Sequence, residues 1–313
     1  MLTRLDFDSV HAHAGVADLI APLRHAFVEG MSAPARNHYE LGTPPSIKSL
    51  LVMPGWREGG HLGVKIVTVF PDNEKRGLCS VNGEYLLISG DTGKPLALID
   101  GAALTLLRTA AVSALAADLL AAPDADTLLM VGTGALAAYL IEGHLSVRRF
   151  KSIGVWGRTP AKATRLVNHL LGKDLPAHLV PHLETAVREA DVICCATMAT
   201  APLIDGRWLK QHAHLNLIGG FRPSMREADA DCFRDSLVAV DTLDALEESG
   251  DLIEPLQSRV LQRDQIVQLR DLMVDGAPTA RLRKSVFKSV GSALADLSAA
   301  EWIYQRCGEG SPR

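Results

Sequence analysis

Leu128-Leu129-Met130-Val131-Gly132-Thr133-Gly134-Ala135-Leu136-Ala137 is an apolar run, then a G-x-G-x-x-A turn, then the start of a stretch of helix-forming residues. The dinucleotide-binding fingerprint requires that order, because its glycines let backbone N–H groups approach a pyrophosphate at the positive end of the following helix. Gly132, Thr133, Gly134, Ala135 and Leu136 are therefore candidate cofactor contacts. Similar apolar runs recur downstream at Ser152–Trp156, Val192–Cys195, Leu215–Ile218 and Leu237–Val240, each followed by polar or glycine residues and a helical pattern. Continuous apolar strands between helices indicate a parallel sheet covered on both faces. The expected fold class is α/β, with residues 121–291 forming a Rossmann-type doubly wound domain.

Upstream the pattern differs. Ser49–Met53, Gly63–Phe70 and Tyr85–Ile88 are β-rich runs separated by breakers such as Pro71-Asp72-Asn73 and Gly90-Asp91-Thr92-Gly93, with no helix between them. An antiparallel or mixed sheet is expected there. An Ala/Leu-rich helix follows from about Ala102 to Ala121, carrying the single cation Arg108. Residues 1–120 thus form a smaller α+β domain, and Phe287 to about Arg306 is expected to be an amphipathic helix, with the stretch from about 292 to 313 returning to it.

The 313 residues are 47% hydrophobic and 22% charged, which excludes a disordered chain and suits two domains. A net charge of -4 without long single-sign blocks argues against a nucleic-acid or membrane partner. The longest uncharged run, Thr127 to Ile141, is shorter than the roughly 18 residues of a membrane span. Asp6 and Asp8 interrupt any apolar signal core, so a cytoplasmic location is expected. Five scattered cysteines, with no C-x-x-C pair, are taken as small apolar residues. No metal site is expected: His11-Ala12-His13 and His212-Ala213-His214 lack ligand spacing and are taken as surface or cap histidines. The basic run Arg281, Arg283, Lys284, Lys288 is taken as a solvated face.

An NAD site ends its second strand in an acid that accepts from the ribose 2′-hydroxyl. Here the stretch is Val155-Trp156-Gly157-Arg158-Thr159. Arg158 and Thr159 suit a 2′-phosphate instead, so NADP(H) is expected, with NAD(H) as the alternative. Thr159-Pro160 also has the form of an N-cap followed by proline at the first helical position. In the first domain, Lys65 stands alone in an apolar strand and Arg108 alone in an apolar helix. Burying either cation is costly without an anionic partner. An exposed edge face for Lys65, or an internal ion pair for Arg108, would explain them without a ligand.

Gly63–Thr68, Thr92–Ala97, Leu104–Ala111, the glycine loop, Glu248–Asp251 and Val286–Gly291 together resemble the ornithine cyclodeaminase/mu-crystallin family, in order and at family spacing from about residue 34 to 305. The resemblance implies that Arg36, Lys65 and Arg108 bind a substrate carboxylate and polarise its C=N centre, with Lys65 also catalytic. It further implies that Ser80 lies at the substrate wall, that Thr197 and Ser289 line the ribose and nicotinamide region, and that the first domain forms a homodimer. Cyclodeaminases of the family carry an aspartate after the Gly-Gly that follows the fifth strand. Gly219-Gly220-Phe221 places a phenylalanine there, and a phenyl ring cannot take a proton. The run Arg222-Pro223-x-x-Arg226-Glu227 and the turn Trp156-Gly157-Arg158-Thr159 resemble the ketimine-reductase side of the family, and that resemblance, with the missing aspartate, implies NADPH-dependent reduction of a small cyclic imino acid. Ornithine cyclodeaminase, with Glu227 as substitute base, and a non-catalytic NADP-dependent binding protein are the alternatives.

Overall fold

The computed structural model describes residues 2–34, 36–43, 47–274 and 283–309. The chain divides into two units, Met1–Thr109 with Ser292–Arg313, and Ala110–Gly291. The boundary falls inside the helix Gly101–Leu120 rather than after it. That helix is apolar over a length that would suit a bilayer, but most of it is buried within the protein.

In the first unit the strands β1 (Thr3–Leu5), β2 (Asn37–Leu41), β3 (Lys48–Trp56), β4 (His61–Val69), β5 (Val81–Ser89) and β6 (Pro95–Asp100) form one sheet in the order β1-β6-β5-β4-β3-β2. Only β1 and β6 pair in parallel, so the sheet is mixed. Side chains alternate across a strand. Along β4, Gly63, Lys65 and Val69 are buried on one face, while Leu62 and Ile66 are exposed on the other. Gly63 is required because a Cβ there would lie 1.8 Å from the Tyr85 hydroxyl that crosses it. The helix Ala293–Glu309 packs on the inner face of β3, β4 and β5.

The second unit contains β7 (Thr127–Val131), β8 (Ser152–Trp156), β9 (Ala177–Leu179), β10 (Val192–Cys195), β11 (His214–Leu217), β12 (Leu237–Val240), β13 (Ile266–Gln268) and β14 (Ser285–Lys288). All pair in parallel, in the order β13-β12-β14-β11-β10-β7-β8-β9. The strand order reverses between β7 and β10, and ligands of such sheets bind outside the carboxyl ends of the strands at that point.

Four sequence expectations are corrected. Ser285–Lys288 is a strand, inserted between β11 and β12 with all four residues buried, and the last helix begins only at Ala293. Lys288 gave this segment a polar cast, yet its side chain is fully buried against Asp251 at 2.9 Å, so it belongs to no solvated face. Arg283 is exposed, and Arg281 lies outside the described residues. His214 is not a surface histidine. It begins β11, is fully buried, and its Nδ1 contacts the Ser285 hydroxyl at 2.9 Å, while burial lowers its pKa to about 3 and keeps it neutral. Of the cysteines, Cys194, Cys195 and Cys232 are buried, but Cys79 is exposed.

Candidate active site

Two sets of residues carry chemistry, one in each unit. In the first, Lys65 sits in the interior strand β4 and is 2% exposed, so it does not lie on an exposed edge. Its Nζ donates to Asp296 Oδ1 at 3.0 Å and to Thr105 Oγ1 at 2.5 Å, and the Thr105 hydroxyl in turn donates to the Gly101 carbonyl at 2.6 Å. A protonated lysine has three N–H donors, so one remains. Arg108, 6% exposed, donates from Nε to the same Asp296 oxygen at 2.8 Å. The ion pair foreseen as its ligand-free explanation is therefore present, but it uses only Nε. Neither Nη group has a protein partner among the described residues.

Burial is the largest influence on the Lys65 ammonium and lowers its pKa. Asp296 opposes that shift, Arg108 and Arg36 reinforce it, and the result is about 8. Burial pushes Asp296 upward, but Arg108 and Lys65 outweigh it and hold the carboxyl below its ordinary pKa. Arg36, half-buried just before β2, is close enough for its charge to be felt at Lys65. Ser80 lies in the turn before β5 and is half-buried. Its hydroxyl oxygen is buried without a hydrogen-bond partner among the described residues.

In the second unit Gly132 leaves β7 with φ +121°, and a Cβ there would lie 2.4 Å from the Ala196 carbonyl oxygen, just past β10. Glycine alone permits that crossing. A Cβ on Gly157 would likewise lie 2.7 Å from Thr133 Cγ2, so the end of β8 rests on the loop. The helix Leu136–Val147 follows, and its first amides lack intrahelical acceptors. This close-packed cradle, open at Gly134 and Ala135, fits a dinucleotide pyrophosphate. Arg158 and Thr159 are exposed at the end of β8. Thr159 occupies the N-cap position, but its side chain makes no capping hydrogen bond, so the hydroxyl is not consumed by the helix.

Thr197 and Ser289 are committed within the protein. Thr197 donates from N and Oγ1 to Glu227 Oε1, at 2.6 and 2.8 Å, and Gly219 N donates to Glu227 Oε2 at 2.7 Å. Ser289 donates to Asp241 Oδ2 at 2.6 Å, and that carboxylate also receives Val290 N and Gly291 N. Glu227 is thus a clamp between the ends of β10 and β11, fully buried with both oxygens occupied, and it is not available as a substitute base. Phe221 packs against the core under the Arg222 guanidinium, 5.5 Å from its ring centre.

Sequence reasoning missed Asp296, Thr105, Asp241 and Asp251. Asp296 left one trace, as the lone charge between Ser289 and Ala300. Among the described residues no group of three or more metal-ligating side chains is found.

The model of the ornithine cyclodeaminase/mu-crystallin family matches residues 4–311. The chain belongs to that family. The chain is similar to the Delta(1)-pyrroline-2-carboxylate reductase of Colwellia psychrerythraea, 34% identical over 314 residues that cover 96% of this chain and 98% of that one. The Paracoccus denitrificans protein of the same name is 35% identical over 286 residues, covering 89% and 90%. A solved structure of the Thermococcus litoralis Delta(1)-pyrroline-2-carboxylate reductase, in complex with NADH and L-proline, matches with a TM-score of 0.92 and 28% identity over 98% of each chain. The doubly wound domain and the added α+β unit are therefore those of a nicotinamide-dependent family.

Proposed function

We propose that this family member is an imine reductase that converts a cyclic ketimine carboxylate, Δ1-pyrroline-2-carboxylate or Δ1-piperideine-2-carboxylate, to the cyclic amino acid. The observation that carries this is the buried Lys65–Asp296–Arg108 cluster, which leaves one lysine N–H and the two Nη groups of the Arg108 guanidinium unspent. A reduced nicotinamide, when bound, supplies the hydride that the imine carbon takes up. The free Nη pair of Arg108 presents the fork that a carboxylate accepts bidentately, and Arg36 adds a second positive charge. Lys65, largely protonated at pH 7 with a pKa of about 8, delivers the proton that the ring nitrogen gains. Ser80 would line the substrate wall, a role that its buried, unengaged hydroxyl oxygen supports. Ornithine cyclodeamination would need a further base, and Phe221 and the occupied Glu227 do not supply one.

Gly132, Thr133, Gly134, Ala135 and Leu136 would hold the pyrophosphate, and Arg158 with Thr159 the 2′-phosphate of NADP(H). Thr197 and Ser289 would shape the ribose and nicotinamide region through their buried carboxylate partners rather than by direct donation. The test is loss of NADPH absorbance with a panel of cyclic imines, set beside ammonia release from ornithine with NAD+. Imine-dependent oxidation of NADPH is expected, with a KM below that for NADH, and Arg158→Ala should raise the NADPH value about tenfold while leaving the NADH value nearly unchanged. A KM for NADH at or below that for NADPH would refute the cofactor assignment, and turnover of ornithine alone would refute the reaction.

A homodimer through the first unit completes the proposal. On the sheet face opposite Lys65, Val52, Pro54 and Trp56 pair across to Ile66, Val64 and Leu62, an apolar surface with Trp56, Leu62 and Ile66 exposed. Light scattering should give twice the chain mass of 33.6 kDa, and Ile66→Glu should halve it. A monomeric wild type would remove the dimer. The free cysteines fit a reducing, cytoplasmic compartment.

A further inference from the structure

We propose that Asp296 is a positioning residue: one of its carboxylate oxygens, shared by Lys65 and Arg108, holds the ammonium and the guanidinium in the single arrangement that the reduction uses. This rests on the imine-reductase assignment above, but the geometry that supports it is independent of the substrate.

The contact pattern is the reason. An arginine and a buried carboxylate left to themselves favour a two-pronged contact, with both oxygens engaged by two N–H groups. Here both cations converge on Oδ1, at 3.0 and 2.8 Å, and Oδ2 is buried with no hydrogen-bond partner among the described residues. A buried carboxylate oxygen left bare is costly, so the arrangement is not the one that stability by itself selects. What it achieves is orientation. The Nε contact fixes the plane of Arg108 while sparing its Nη groups. Asp296 and Thr105 together take two of the three lysine donors, which leaves the third with one direction.

The element carrying Asp296 suits this role. The helix Ala293–Glu309 starts at a Ser292 hydroxyl that accepts from Ala295 N at 3.3 Å, and it lies on β3, β4 and β5. Asp296 is therefore held one turn into a packed helix rather than on a loop. The charges that act within the cluster are those of Arg36 before β2, Lys65 on β4, Arg108 on the helix Gly101–Leu120 and Asp296 itself; the Tyr85 phenol on β5 is kept protonated by burial, Asp296 and Glu301 and adds no charge. Glu301 is itself engaged by His61 and Arg57. Asp296 is the anion in direct contact with Lys65, and it offsets the downward influence of Arg108 and Arg36 on the ammonium. Without it the lysine would lose its proton at lower pH.

The experiment uses the full chain and two readouts. The first is the Lys65 titration, followed by the 13Cε shift of labelled lysine and assigned by difference against Lys65→Met. The midpoint of about 8 in the wild type should fall by at least one pH unit in Asp296→Asn, whereas Thr105→Val, which removes no charge, should keep it. The second is the pH profile of imine reduction. Activity needs the protonated lysine and is lost as pH rises through its pKa, so the alkaline limb of Asp296→Asn should move to lower pH, with kcat/KM down at least tenfold and NADPH affinity unchanged. An Asp296→Asn protein with the wild-type midpoint and wild-type limb would overturn the proposal. So would a Thr105→Val midpoint displaced by a pH unit or more, which also serves if Asp296→Asn does not fold. If the wild type reduces no cyclic imine, the function assignment fails while the titration still decides the role of Asp296.

Discussion

Lys65→Ala should retain NADPH binding and lose at least a hundredfold in imine reduction. A positioned general acid contributes about 10²–10⁴ to a rate, and Lys65 is placed as the acid: buried, protonated at neutral pH, with one N–H unspent. Its loss also removes one of the two cations on the Asp296 carboxylate, though Arg108 remains at 2.8 Å. Breaking a buried pair can cost about 3–5 kcal/mol, so Lys65→Met, which keeps the volume, should accompany it with a thermal melt of each. The measurement is single-turnover reduction at saturating NADPH beside a fluorescence titration of the cofactor. Wild-type turnover in a folded Lys65→Ala protein would remove the lysine from the chemistry. Loss of cofactor binding would show that the substitution had damaged more than the acid.

Gly132→Ala should weaken NADPH binding about a hundredfold in an otherwise folded protein. A non-glycine residue at φ +121° carries strain of about 1–3 kcal/mol, and the added Cβ would sit 2.4 Å from the Ala196 carbonyl oxygen, a contact that cannot persist. Either the loop or the end of β10 must shift, and both border the same pyrophosphate cradle. Gly134→Ala is the control: its Cβ meets nothing within 4 Å and its φ is not in the left-handed range, so a much smaller change is expected. Equal dissociation constants for wild type and Gly132→Ala would show that the loop does not hold the cofactor.

Much of the doubly wound domain was legible because its signals are local. Val192–Cys195 and Leu237–Val240 are four-residue apolar runs that become strands with every residue buried, and Ser152–Trp156 likewise matches its strand end to end. Ser285–Lys288 was not legible. A lysine in a central parallel strand contradicts the apolar pattern, and it is tolerated because Asp251, 37 residues earlier, neutralises it in the interior. His214 was misjudged for the same reason, since its partner Ser285 is 71 residues away. In the candidate site the cations stood out as lone charges in apolar stretches, whereas Glu227 looked like a spare carboxylate. Its three donors come from Thr197 and Gly219, on loops that only the sheet brings beside it.

The order of residues by itself determined the glycine turn between an apolar strand and a helix, the absence of an acid after the second strand of that domain, and the isolation of Lys65 and Arg108 among apolar neighbours. Each depends on residues adjacent in the chain. Only the tertiary structure decided what those cations do. Asp296 lies 231 residues from Lys65 and 188 from Arg108, and it meets them because the last helix packs across the inner face of the first sheet. A buried charge takes its meaning from the partner that desolvation forces it to find, and that partner is chosen by packing, not by sequence distance.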